Sequence, residues 1–245
     1  MFDVSVTDEQ NMGKEVADSV IDQYGVVDNK AEVDRLVSVG SALVEAASAA
    51  KDFEYHFYIV DTDMVNAFAL PGGYIFVTKG MMDFVDDDDE LAAVIGHEIV
   101  HIVHRHGVVL YKKSMKTMVM NLLLLLMTKD PNVVIANEMY QQGRSELFGR
   151  KAELEADDVE MEYLQDSGYD PTAQVRLMQK LEKLEMHTPP LFEGYFEVHP
   201  PTADRVNIIE NHLRKNNIEI PDKKPVETDF RTFVKESCAT SDTCP

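Results

Sequence analysis

The chain has 245 residues and carries 44 acidic against 23 basic side chains, for a net charge of −21 at neutral pH. That length can bury one sizeable core, and the charge excludes nucleic acid as a partner, and anionic lipid held by charge alone, because phosphate contacts need clustered Lys and Arg. Hydrophobic residues at 44% and charged residues at 27% describe an ordinary globular protein.

The opening MFDVSVTDEQ lacks the basic start and apolar run of a secretory signal, which leaves a cytosolic chain or a mature segment behind an added methionine. Residues 8–24 and 29–49 predict amphipathic helices, the second with Val33, Leu36, Val37, Leu43, Val44 and Ala47 at helical spacing. Residues 53–60 (FEYHFYIV) predict a strand. Asn66–Leu70 and Tyr74–Thr78 flank Pro71-Gly72-Gly73 and predict a hairpin, followed by a short helix or turn over 80–85. A helix is expected from about Asp89 to Tyr111. The block MVMNLLLLLM at 118–127 is too short to cross a bilayer, which needs about 20 apolar residues. It reads as a core helix, with a substrate groove or a membrane or partner contact as the other readings.

Pro131 interrupts the pattern, and helices are expected over 133–142, 145–167 (ended by Gly168), 171–187 and 202–215, with a loop from Thr188 to Pro201. The expected architecture is α+β and mainly helical, one domain over 1–220 with a small β-sheet or hairpin beside the helix of 89–111. A polar tail covers 221–245. Both cysteines, Cys238 and Cys244, lie in it, where they form either a disulfide in an oxidising compartment or a pair of free thiols.

Within the helix of 89–111 stands His97-Glu98-Ile99-Val100-His101, an HExxH pattern. On an α-helix, residues four apart lie one turn apart on one face, so both imidazoles point to one spot while Glu98 is rotated off it. Two His ligands, an open position and a carboxylate base are the parts of a zinc peptidase site. Such a site wants a third protein ligand. Glu153 and Asp157 share a face of the 145–167 helix, where Glu153 could bind metal and Asp157 could take the ring N–H of a ligand histidine. Spacing alone leaves both equally readable as solvated acids on an acidic surface. His104 reads as packing or support for the site, and His56 and His106 as structural.

Four segments carry a resemblance: NAFALPGGYIFVTKGMM at 66–82, ELAAVIGHEIVHIVHRH at 90–106, AELEADDVEMEYLQDSGYDP at 152–171 and HPPTADR at 199–205. In this order they resemble the gluzincin family that contains HtpX and the CAAX prenyl endopeptidases, most closely its soluble bacterial periplasmic members. The resemblance implies a zincin-like fold and one Zn2+ per chain, held by His97, His101 and Glu153, with Asp157 supporting the site. It implies Glu98 as general base, and His199 and Arg205 as groups facing the site. His199 is then an oxyanion donor or a fourth zinc ligand acting as a latch, or simply a loop histidine beside Pro200. Arg205 is an oxyanion donor or a helix-surface ion pair.

The function expected is zinc-dependent endopeptidase action on unfolded or misassembled envelope polypeptides, in the periplasm, with peripheral association with membrane or assembly machinery. The metal would lower the pKa of a water from 15.7 toward about 7, and Glu98 would take its proton. A zinc-binding chaperone or scaffold without proteolysis is the alternative, against which the intact Glu98 stands. A self-inhibited protease released by movement of the His199 loop is a third reading. The strand at 66–70 could also receive an extended substrate by edge pairing.

Overall fold

The computed structural model describes residues 4–47, 50, 52–128, 131–187, 199 and 203–220. The tail with Cys238 and Cys244, and the loop of 188–201 apart from His199, lie outside the described residues. The elements are α1 (Val6–Tyr24), α2 (Lys30–Ala46), β1 (His56–Val60), β2 (Ala67–Leu70), β3 (Tyr74–Thr78), α3 (Lys79–Phe84), α4 (Asp88–Val103), α5 (His106–Thr128), α6 (Pro131–Ser167), α7 (Ala173–His187) and α8 (Ala203–Lys215). Helices dominate and the sheet is small, as the α+β reading expects.

The three strands run in the order β1-β3-β2. β2 and β3 form the antiparallel hairpin, with Phe68 opposite Phe76, while β1 joins the other edge of β3 in parallel, with His56 opposite Tyr74. Alternate residues divide the sheet between two layers. Tyr58, Phe68, Tyr74 and Phe76 lie with Ala17, Val20 and Ile21 of α1, and both Tyr58 and Phe68 stack on Phe76 at 5.1 Å between ring centroids. Ile59, Ala67, Ile75 and Val77 face the main core with Leu36 and Leu43 of α2 and Ile95 and Ile99 of α4. The tight contact of α1 with the hairpin turn depends on Gly13. A Cβ there would sit 1.8 Å from the Pro71 carbonyl oxygen.

α4 is buried along almost its whole length, between the sheet, α2, α6 and α7. Its first turn is fixed by charge. The Asp87 side chain accepts from the Glu90 amide at 2.8 Å, an N-cap. The acidic run 86–90 then meets three cations. Lys180, itself buried, donates to Glu90 at 2.8 Å and to the Phe84 carbonyl at 2.7 Å. Arg176 pairs with Asp87 at 2.8 Å, and Arg35 with Asp88 at 2.6 Å. An acidic stretch that would repel itself is thereby anchored at the helix end where negative charge is favoured.

Two boundaries differ from the sequence expectation. The HExxH helix does not run to Tyr111: it ends at Val103, and Arg105 turns left-handed at φ 55 before α5 starts at His106. The break holds because the Arg105 guanidinium is tied to the buried Glu9 of α1 and donates to the Val4 carbonyl at 2.6 Å. The segments 133–142 and 145–167 are one continuous helix, α6, since the QQGR stretch between them contains no proline and helical hydrogen bonding runs through it.

Candidate metal centre

α4 and α6 pack against each other and bring the HExxH face opposite Glu153, Asp157 and Glu160. His97 Nε2 lies 3.1 Å from His101 Nε2 and 3.3 Å from Glu153 Oε2, and His101 Nε2 lies 3.4 Å from Glu153 Oε1. His199 closes the group, with Nδ1 2.9 Å from Glu153 Oε2 and Nε2 3.3 Å from Glu98 Oε1. One donor atom from each of His97, His101, Glu153 and His199 falls within 4.8 Å of the others.

These separations test the fit to a metal. Ligands about 2.0–2.1 Å from a tetrahedral zinc stand roughly 3.3 Å apart, close to the 3.1 Å between the two Nε2 atoms and to their separations of 3.3 and 3.4 Å from one or the other Glu153 oxygen. The outward ring atoms are also engaged in the sense a ligand needs. His97 Nδ1 faces Glu160 Oε2 at 2.9 Å and Asp157 Oδ1 at 3.4 Å, so its N–H points outward and the Nε2 lone pair points inward. His101 Nδ1 meets His106 Nδ1 at 2.9 Å, again leaving Nε2 for the centre. Three imidazoles and one carboxylate suit zinc among the common divalent ions.

Charge in the cluster is strongly coupled. Burial pushes the Glu98 and Glu153 carboxyls up, but the surrounding histidines outweigh it and hold both below the usual range. Burial holds His101 down to about 4, with Glu153 partly opposing. Burial likewise lowers His199, yet Glu98 and Glu153 on either side win and raise it. Glu160 is pushed up to about 7 by burial, against the pull of His97.

Arg205 is fully buried and bidentate on Asp157, at 2.7 Å from Nε and 2.8 Å from Nη2. Its Nη1 reaches the His199 carbonyl at 3.2 Å and Glu153 Oε2 at 3.3 Å. The surface placement expected of an Arg205 ion pair is not what is found: the guanidinium is buried and paired with the equally buried Asp157. Asp157 in turn stands between Arg205 and His97, and Arg205 overcomes burial to keep its carboxyl low.

Two site residues were not legible beforehand. Glu160 is the nearest carboxylate to His97 Nδ1, and its signal was the spacing of Glu153, Asp157 and Glu160 along one face of α6. His106 reaches His101 only because the helix breaks at Arg105, which no spacing rule announces. His104 pairs with Glu155 at 2.8 Å, beside the centre and not in it. His56 stacks on Tyr74 at 4.7 Å in the sheet.

A His-x-x-x-His helix crossed by a carboxylate-bearing helix, with a glutamate beside the histidines, is the frame of a helical metallopeptidase. Residues 30–213 match the model of peptidase family M48, and the chain belongs to that family. The mitochondrial metalloendopeptidase OMA1 of Schizosaccharomyces pombe is 25% identical over 221 residues, covering 89% of this chain and 64% of that protein. The beta-barrel assembly-enhancing protease of Yersinia pestis is 31% identical over 154 residues, 59% of this chain and 31% of that protein. The metalloprotease LoiP of Escherichia coli is 29% identical over 192 residues, 76% of this chain and 72% of that protein. The chain spans about one third to two thirds of the length of OMA1 and the assembly-enhancing proteases it matches.

Proposed function

We propose that the chain is a zinc-dependent endopeptidase acting on unfolded or misassembled envelope polypeptides, self-inhibited by His199. The observation that carries the reading is the convergence of His97, His101 and Glu153 at the edge lengths of a tetrahedral site, with Glu98 beside them. Membership of a peptidase family supports the reaction class. The names of the assembly-enhancing proteases suggest envelope substrates, and with them a periplasmic setting and a peripheral association with assembly machinery. No helix among the described residues is long and apolar enough to cross a membrane. The metallopeptidase domain covers residues 1–220, with 221–245 as a tail.

In this reading His97, His101 and Glu153 hold one Zn2+, which would acidify a water and polarise the scissile carbonyl. Glu98, held ionised by its histidine neighbours, takes the proton from the attacking water and passes it to the leaving amine. Glu160 and Asp157 hold His97 in the tautomer that turns Nε2 inward. Arg205 is a positioning residue: it neutralises Asp157 and reaches both Glu153 and the backbone of His199. β2 is an edge strand packed beside α4, so an extended substrate pairing with it would lie near the HExxH helix.

His199 supplies the self-inhibition. It is buried between Glu98 and Glu153 and stands 5.1 and 5.3 Å from the His97 and His101 rings, where a substrate carbonyl would have to enter. His199 would have to withdraw before cleavage.

The test is zinc content of the purified chain, for wild type and Glu153→Gln, paired with hydrolysis of an unfolded casein-type substrate. One chelator-sensitive zinc, weakened by the substitution, and cleavage that rises in His199→Ala are expected. Full zinc with no cleavage by either wild type or His199→Ala would turn the reading to a zinc-binding chaperone or scaffold. No zinc in any form would end it.

A further inference from the structure

Beside the centre, at the mouth of the α4–α5 break, lies a second cluster of donors: His104, His106 and Glu155. His104 Nδ1 stands 2.8 Å from Glu155 Oε1, and His106 Nε2 stands 3.3 Å from Glu155 Oε2. Each residue offers one ligand atom within 4.8 Å of the others. The side chain of Glu155 is 50% exposed and that of His104 is 28% exposed, so an ion from solution can reach the group directly. Two imidazoles and a carboxylate, with the solvent side left for water, are a donor set for Zn2+ and similar borderline divalent ions.

We infer that His104, His106 and Glu155 form a second, weaker divalent-cation site whose occupation opposes metal at the inner one. The opposition comes from a single shared contact. His106 Nδ1 and His101 Nδ1 are 2.9 Å apart, a distance that holds one proton between them. With metal held through His101 Nε2, the hydrogen of His101 sits on Nδ1 and is accepted by His106 Nδ1, so His106 carries its own hydrogen on Nε2 and donates it to Glu155. His101 then presents the Nε2 lone pair to the centre. A cation on His106 Nε2 displaces that proton, and the neutral imidazole must carry its hydrogen on Nδ1. That hydrogen points at His101. If His101 also holds metal through Nε2, two N–H groups face each other at hydrogen-bond distance, so one ion weakens the hold on the other. The outer site stands on its own three residues, whereas the antagonism rests on the reading of His97, His101 and Glu153 as a metal centre.

The experiment is titration of the metal-free full chain with Zn2+ by calorimetry, for wild type, Glu153→Gln, His104→Ala and Glu155→Gln, with circular dichroism to establish that each is folded. Wild type is expected to bind two equivalents, the second at least tenfold weaker than the first. His104→Ala and Glu155→Gln should lose the weaker event only. Glu153→Gln should lose the tighter event, and its remaining outer event should tighten because the opposition is gone. A single event in wild type that survives in Glu155→Gln, or a weaker event that survives in both His104→Ala and Glu155→Gln, overturns the outer site. An outer event with unchanged affinity in Glu153→Gln overturns the antagonism. If the only event in wild type is lost in Glu155→Gln and kept in Glu153→Gln, the outer site stands and the inner reading falls.

Discussion

Glu160 accepts from Nδ1 of His97 at 2.9 Å, from the same face of α6 that presents Glu153 and Asp157 to the centre. A ligand histidine whose outer nitrogen is held by a buried carboxylate has its ring plane and tautomer set before metal arrives. Glu160→Ala should therefore weaken zinc binding about 10- to 100-fold, the usual cost of losing such a partner. Glu160→Gln keeps an acceptor oxygen and should lose less. Zinc affinity by competition with a chelator checks both. Equal affinity in wild type and Glu160→Ala would remove Glu160 from the site.

The pair of Arg205 with Asp157 is wholly buried on both sides, so its two members are worth more together than either alone. Arg205→Met leaves Asp157 charged, buried and without its bidentate partner, and should cost about 3–5 kcal/mol of stability. Arg205→Met combined with Asp157→Leu removes both charges and should recover a good part of that loss. Urea denaturation midpoints of the two single variants and the double variant measure the coupling. Additive losses would mean that the pair does not act as a unit.

How much of this could be read from the sequence depended on how local the cause was. The α4 helix, its HExxH pair and the hairpin turn at Pro71-Gly72-Gly73 are set by neighbours within a few residues, and they were legible. The parallel pairing of β1 with β3 was not, because His56 and Tyr74 meet across a connection that carries no register signal. Arg105 looked like one more helical residue. Its left-handed turn is fixed by Glu9, nearly a hundred positions away in the chain, and only that break swings His106 back onto His101. Glu160 was hidden for a different reason. In a chain with 44 acids, one more glutamate on a helix carries no mark of burial.

Metal should stabilise the fold through the same residues. His97 and Glu153 belong to different helices, and an ion bound by both bridges α4 and α6 in the folded state only. At a free zinc concentration a thousandfold above the dissociation constant, the linkage is worth about 4 kcal/mol. The melting temperature should rise on adding zinc to metal-free protein and fall again with chelator, and Glu153→Gln should blunt most of the rise. A melting temperature indifferent to zinc would mean that the ion does not bridge the helices.

Acid should loosen the junction between α6 and α7 through Asp170. Burial pushes this carboxyl up, but the Thr172 hydroxyl at 2.7 Å, the Thr172 amide at 2.9 Å and Arg176 outweigh it and hold it below the usual range. A carboxyl lowered in the folded state contributes stability that is fully present above its unfolded value of about 3.9, and that is lost as pH falls through the folded value. Asp170→Asn has no such proton to take up, so its melting temperature should fall less steeply than that of wild type below about pH 4. The contribution is under about 1 kcal/mol, because the side chain remains 44% exposed and solvent screens the Arg176 pair. Melting curves of both proteins from pH 6 down to pH 2.5, in chelator so that metal loss does not intervene, isolate the difference. Parallel curves across that range would show that the Asp170 network adds nothing to acid stability.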